Sequence, residues 1–232
     1  MRRFLRILNL SSRRGLPCFL FAAGVFLFGG LATVVGREPA RLVVFGDSLA
    51  AGLGIDLSEA FPALLQKKVD DLGWPVAVVN SGVSGDTSAG GLRRIDWLLR
   101  QPVDVLILEL GGNDGLRGIP VESTRHNLQG IIDRVKQKYP DTRIVIAGMQ
   151  MPPNMGEEYT LAFRRMFPEL ARANHAALIP FLLEGTGGKA ELNQPDQIHP
   201  TAEGHKIIAA NVWKIIEPIL REVAQAKSKA AP

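Results

Sequence analysis

A serine, a histidine and a carboxylate occur here at positions that could carry out acyl transfer. Ser48 lies in Phe45-Gly46-Asp47-Ser48-Leu49, and His199 follows Asp196 by three residues in Asp196-Gln197-Ile198-His199. A serine hydroxyl becomes a useful nucleophile when a base takes its proton, and an imidazole held by a carboxylate is such a base. Spacing of three across a turn lets Asp196 reach one ring nitrogen of His199 while the other faces outward. Pro200 supports this arrangement by pushing His199 toward extended backbone. Each piece also has a plainer reading. Asp or Ser at a strand-to-helix turn is a common helix cap, and a lone Asp-x-x-His is often a cap beside a surface histidine.

Two glycine-containing stretches extend the set. Gly82-Val83-Ser84-Gly85-Asp86-Thr87 and Gly111-Gly112-Asn113-Asp114 each follow an apolar run. Both are turn sequences, and glycine also allows a backbone N–H to approach a substrate oxygen. The N–H of Ser48, the N–H of Gly85 and the amide of Asn113 would then supply three donors from successive strand ends. One such donor is worth about 3–4 kcal/mol to a tetrahedral oxyanion. Asp47 is expected to hold the turn through its carboxylate. His126, His175 and His205 read as surface or internally satisfied residues, and Trp74, Trp97 and Trp213 as core or boundary aromatics. Asp47, Asp114, Asp196 and His199 could instead cluster as a metal-hydrolase site, but no paired-histidine spacing supports this. The sequence has no phosphate-binding glycine loop and no dinucleotide or His-Glu-x-x-His motif. No metal is expected.

The elements that must position these residues are legible as periodicity. Five short apolar runs, Leu42–Phe45, Val76–Val79, Val103–Leu108, Ile144–Ala147 and Ala177–Ile179, alternate with helix-period segments. Continuous apolar character indicates strands covered on both faces. Phe61, Leu64, Leu65, Val69 and Leu72 share one helical face, and Leu128, Ile131, Ile132 and Val135 share another. Ser58 and Ser123 are expected to start these helices, and Gly73 to end the first. A last helix carries Ile207, Ile208, Val212, Ile215 and Ile216; Thr201 caps it and Pro218 kinks or ends it. This alternation predicts a three-layer α/β/α sandwich with right-handed crossovers. Its strand ends are where open α/β sheets place ligands.

Composition bounds the rest. The 232 residues, 46% apolar, suit one domain with a full core. Of 27 basic residues, five arginines lie in residues 1–36, a segment with no acid; the remainder holds 22 basic against 23 acidic residues. That balance leaves no cationic excess for a nucleic-acid partner. The arginine-rich start followed by apolar residues 16–35 reads as an export signal, with an uncleaved inner-membrane anchor, in membrane contact through 16–35, as the alternative. A periplasmic or secreted location follows. The only cysteine, Cys18, falls inside this segment, so no intrachain disulfide or CxxC site is available. The organisation expected is a signal or anchor over 1–36, the domain over 37–223 and a disordered tail over 224–232.

Four motifs in this order make the chain resemble the SGNH (GDSL) hydrolase family from about Arg41 to Pro218, in particular its bacterial thioesterase, lysophospholipase and arylesterase branch. The matching stretches are Phe-Gly-Asp-Ser-Leu (45–49), Ser-Gly-Asp-Thr-Ser (84–88), Leu-Gly-Gly-Asn-Asp-Gly-Leu-Arg-Gly (110–118) and Ile-His-Pro (198–200). The resemblance implies a five-stranded parallel, flavodoxin-like sheet, a periplasmic location and no cofactor. It also implies Ser48 as nucleophile, His199 as base, Asp196 as its orienting acid, and Ser48, Gly85 and Asn113 as the oxyanion hole. The expected activity is hydrolysis of a small acyl ester or thioester by a monomer. Carbohydrate O-deacetylation is the alternative within the family, and a non-catalytic glycan- or lipid-binding module the alternative outside it. In such relatives the loop after the fourth strand shapes the acyl pocket. Here that loop, Gln150-Met151-Pro152-Pro153-Asn154-Met155-Gly156, departs from the arginine-containing version by its two methionines and double proline.

Overall fold

The computed structural model describes residues 38–229. The expected export segment, with Cys18 and residues 16–35, and the last tail residues 230–232 lie outside the described residues. Five parallel strands form the centre: β1 (Ala40–Gly46), β2 (Val76–Asn80), β3 (Val105–Glu109), β4 (Arg143–Ala147) and β5 (Ala177–Ile179). Their order is β2-β1-β3-β4-β5. Leu42, Val43, Val44 and Phe45 of β1 and every residue of β3 are buried, as strands covered on both faces require. β1 pairs with β3 from Leu42↔Val105 to Gly46↔Glu109. The order reverses between these two strands, so their carboxyl ends open the crevice in which such sheets bind ligands.

The helices form two layers. α2 (Phe61–Asp71) and α7 (Ala202–Lys229) pack together on one face; α3 (Ser88–Leu98), α5 (Val121–Lys138) and α6 (Glu157–Ala173) pack side by side on the other. Two short helices, α1 (Ser48–Ala51) and α4 (Gly112–Leu116), follow β1 and β3 directly. Helices this short are not stable alone, because nucleation costs more than one turn returns. Their geometry is therefore imposed by the sheet ends and by side-chain hydrogen bonds.

Several local expectations change. Ser58 sits in a single 3-10 turn, Leu57–Glu59, and α2 starts at Phe61 with Pro62 in its first turn. The Ser58 N–H is already bound by Asp56. α5 starts at Val121 rather than Ser123, because the Pro120 carbonyl accepts the N–H groups of Ser123 and Thr124. Trp97 is 70% exposed on α3 and belongs to neither core nor boundary. The expected disordered tail is helical to Lys229: Ile216, Leu220 and Ala224 stay buried on both sides of Pro218, and Lys227 pairs with Asp104 at 3.0 Å. Thr201 does cap α7, its hydroxyl accepting the Gly204 N–H at 3.3 Å, and Gly73 follows α2 with φ of 64°.

Candidate active site

β1 ends at Gly46, and the chain turns at once into α1. Asp47 is the cap of this helix: its Oδ1 accepts the Leu49 N–H at 3.0 Å. Such caps contribute about 1 kcal/mol. Ser48 thus starts this helix with its own N–H unbonded among the described residues, a setting that favours negative charge. The capping role falls to Asp47, which releases the Ser48 hydroxyl for other work.

The histidine arrives from the far end of the chain. Asp196-Gln197-Ile198-His199 forms a tight turn ahead of α7, with Gln197 at a positive φ of 60°. Asp196 Oδ1 accepts the N–H groups of Ile198 and His199 at 2.9 and 3.0 Å, and its Oδ2 lies 2.7 Å from His199 Nδ1. The other ring nitrogen, Nε2, is 2.9 Å from Ser48 Oγ. The three side chains therefore converge in one hydrogen-bonded line. Gln194 latches the turn: its backbone N–H donates to the His199 carbonyl, and its amide Nε2 donates to the Leu53 carbonyl beyond α1.

Asn113 is also brought to the serine. It lies at the start of α4, lines the same cavity, and donates one amide hydrogen to Asp47 Oδ2 at 3.1 Å. The second hydrogen of that amide is left for a ligand. Gly85 is placed less tightly. Its loop lies against the end of β1, where Val83 N–H donates to the Gly46 carbonyl and Asn80 donates to the Ala50 carbonyl. Gly85 does not line the cavity that holds Ser48. Its carbonyl accepts from Arg117 at 3.1 Å, and the N–H groups of Gly85 and Ser48 donate to no group among the described residues.

The cavity has a volume of about 530 Å³. Ser48, His199 and Asn113 line it together with apolar side chains such as Leu116, Met149, Met151, Phe181 and Leu183, and with the amides of Gln150, Asn193 and Gln197. No lysine or arginine among the described residues lines it. Asp47 and Asp114 do not join a cation cluster. Asp114 is fully buried and accepts from Ser88 and Thr124, and no three His, Cys, Asp or Glu side chains among the described residues could share an ion.

Electrostatics separate the carboxylates. Hydrogen bonds from the His199 backbone and ring, with one from Ile198, hold Asp196 down to about 2, so it stays ionised. Burial pushes Asp47 up to about 6, against the opposing bonds from Leu49 and Asn113. Glu109, at the end of β3, is pushed well above the usual carboxylate range by burial and then by the neighbouring Asp47 charge. His205 is satisfied inside the fold: its Nδ1 accepts the Phe61 N–H at 3.1 Å, and burial lowers it to about 4. His126 and His175 are exposed.

Sequence reasoning missed Glu109 and Gln194. Glu109 did carry a signal: it is the one charged residue closing the apolar run of β3, and a carboxylate there must be buried. Gln194 carried none.

Residues 44–207 match the profile of the GDSL-like Lipase/Acylhydrolase family. The chain belongs to the GDSL (SGNH) hydrolase family. Esterase TesA of Pseudomonas aeruginosa is 40% identical over 200 residues, covering 84% of this chain and 98% of that protein. Thioesterase 1/protease 1/lysophospholipase L1 of Escherichia coli K12 is 38% identical over 199 residues, covering 84% of this chain and 92% of its own. The crystal structure of TesA superposes with a TM-score of 0.74 at 41% identity, over 77% of this chain and 98% of that one. This GDSL hydrolase is a serine esterase of the carboxylic ester hydrolase class.

The raised Asp47 has a measurable consequence. An acid whose folded-state value exceeds its unfolded value holds its proton more tightly when folded, so stability falls as pH rises through that interval, here from about 4 to about 6. Glu109, also raised, acts in the same sense and His205, lowered to about 4, in the opposite one, so the parent's own curve mixes these groups. Comparing Asp47→Asn with the parent isolates the Asp47 charge together with its push on Glu109. In thermal melts the stability gap should shift in the variant's favour between pH 4 and 6.5; a constant gap contradicts the assignment.

Proposed function

We propose that this hydrolase cleaves carboxylic esters and thioesters of uncharged acyl groups through an acyl-enzyme on Ser48. His199 Nε2 takes the Ser48 proton as Oγ attacks the acyl carbonyl carbon. Asp196 holds the imidazole by its Nδ1–H and faces the positive charge that develops on the ring. The Ser48 N–H, the Gly85 N–H and the second amide hydrogen of Asn113 receive the oxyanion. His199 then hands the proton to the leaving alcohol or thiol, and water repeats the sequence to release the acid. The 2.9 Å contact between His199 Nε2 and Ser48 Oγ carries this reading.

The mainly apolar lining of the cavity favours an acyl chain over an acetylated sugar. Apolar side chains from the loops after β3, β4 and β5 offer dispersion contacts along a chain and few polar partners for sugar hydroxyls. The absence of lining cations fits an acyl group without charge. The names of the relatives, esterase and thioesterase with lysophospholipase, agree with such a pocket.

Residues 1–36 are assigned to export, which places the enzyme in the periplasm or outside the cell. Among the described residues no helix is long and apolar enough to cross a membrane. N-terminal sequencing of the exported protein should find a start beyond residue 36; an intact Met1 on membrane-bound enzyme contradicts cleavage and favours the anchor.

Kinetics on a short p-nitrophenyl ester test the chemistry. Ser48→Ala should abolish turnover. Asn113→Ala should lower kcat by about 10²–10³ with little change in KM. A loss confined to KM would make Asn113 a binding residue only, and a Ser48→Ala enzyme that still turns over would remove the nucleophile assignment.

A further inference from the structure

Beneath the nucleophile lies a second carboxyl that the mechanism above does not use. Glu109 ends β3, paired in register with Gly46 at the end of β1, and is 2% exposed. Its Oε2 accepts the backbone N–H of Asp47 at 3.0 Å, and the Ala50 N–H also stabilises the charged form of this carboxyl. The fit is close enough to dictate a neighbour: a Cβ on Gly46 would come within 2.0 Å of Glu109 Oε2 and 2.8 Å of the Ala50 Cβ. Glu109 therefore fills the space under the turn and fixes the start of a helix that is too short to hold itself.

From this anchor two paths lead to the reacting atoms. Asp47 is the residue next to Ser48, so its backbone orientation sets where the Ser48 N–H points. Its side chain is 1% exposed and accepts Asn113 Nδ2 at 3.1 Å, which sets where the free amide hydrogen of Asn113 points. We propose that Glu109 is a positioning residue of the esterase reaction, aiming the Ser48 N–H and the Asn113 amide at the oxyanion through Asp47. This rests on the oxyanion assignment made under Proposed function. Burial and the neighbouring Asp47 charge both disfavour ionisation of the Glu109 carboxyl. A neutral acceptor can therefore replace it.

Three substitutions separate positioning from bulk. Glu109→Gln keeps a carbonyl oxygen in place; Glu109→Asp withdraws the acceptor by one methylene; Glu109→Met keeps the volume without an acceptor. Steady-state kinetics on a short p-nitrophenyl ester should give Gln a kcat within about threefold of the parent. Asp and Met should lose about 10- to 100-fold in kcat with KM within about twofold, the scale of a misaligned but present donor. If the Met variant fails to fold, the Asp variant carries the test. Because part of the Glu109 effect passes through the Asn113 amide, combining Glu109→Asp with Asn113→Ala should cost less than the product of the single losses. A folded Asp or Met variant with parental kcat overturns the proposal, as does full multiplicativity with Asn113→Ala. If Asn113→Ala itself leaves kcat unchanged, the oxyanion assignment beneath the proposal fails instead.

Discussion

The hydrogen bond between His199 Nε2 and Ser48 Oγ joins residues 151 positions apart, and the architecture is organised around closing that distance. The serine is fixed first. β1 lies between β2 and β3, so its end is held on two sides, and the turn after it is pinned by Asp47. The histidine has no such scaffold of its own. It sits on an exposed turn that depends on α7, which packs against α2 and β1, and on Gln194, which ties the turn to the segment after α1. A shift of one ångström in this junction would separate the imidazole from the hydroxyl, and misplacements of that size between reacting groups cost about 100-fold in rate.

Two aspartates serve this junction in opposite electrostatic states. Asp196 is 45% exposed on its side chain and collects three hydrogen bonds, so it stays charged and can steady an imidazolium. Asp47 is buried and works as a shaping group, sharing its oxygens between a helix cap and Asn113. The cost of burying it, and Glu109 beneath it, is offset by directing each toward N–H donors. No buried side-chain nitrogen or oxygen among the described residues lacks a partner. Polar groups under the nucleophile therefore form a connected set, in which removing one acceptor displaces its neighbours.

Much of this was legible in the sequence because strands buried on both faces leave unmistakable apolar runs. Five were found, and β5 was located at Ala177–Ile179 to the residue. Ser48 stood out because it follows the end of such a strand, and Asp196 and His199 because three residues and a following proline set a turn ahead of α7. What escaped had competing local signals. α3 carries Gly90 and Gly91, poor helix formers, yet a Cβ on Gly91 would stand 2.3 Å from Leu110 Cδ1, so close packing overrides propensity. α7 runs through Pro218 and into the expected tail, because buried residues on both sides outweigh the missing hydrogen bond. Trp97 was assigned inward on its size alone, although its helical position points it to solvent. Gly85 was expected beside Asn113; it reaches the same rim without lining the cavity. Glu109 was marked only by its charge at the end of an apolar run, and Gln194 acts through tertiary contacts that no local pattern encodes.

Covalent capture tests the central contact most directly. The protein would be treated with a fluorophosphonate, digested and mapped by mass spectrometry, alongside His199→Ala. The account predicts one adduct, on the peptide carrying residue 48, forming quickly in the parent and far more slowly without the imidazole. An adduct on a different residue, or labelling of residue 48 at the same rate in both proteins, would contradict it.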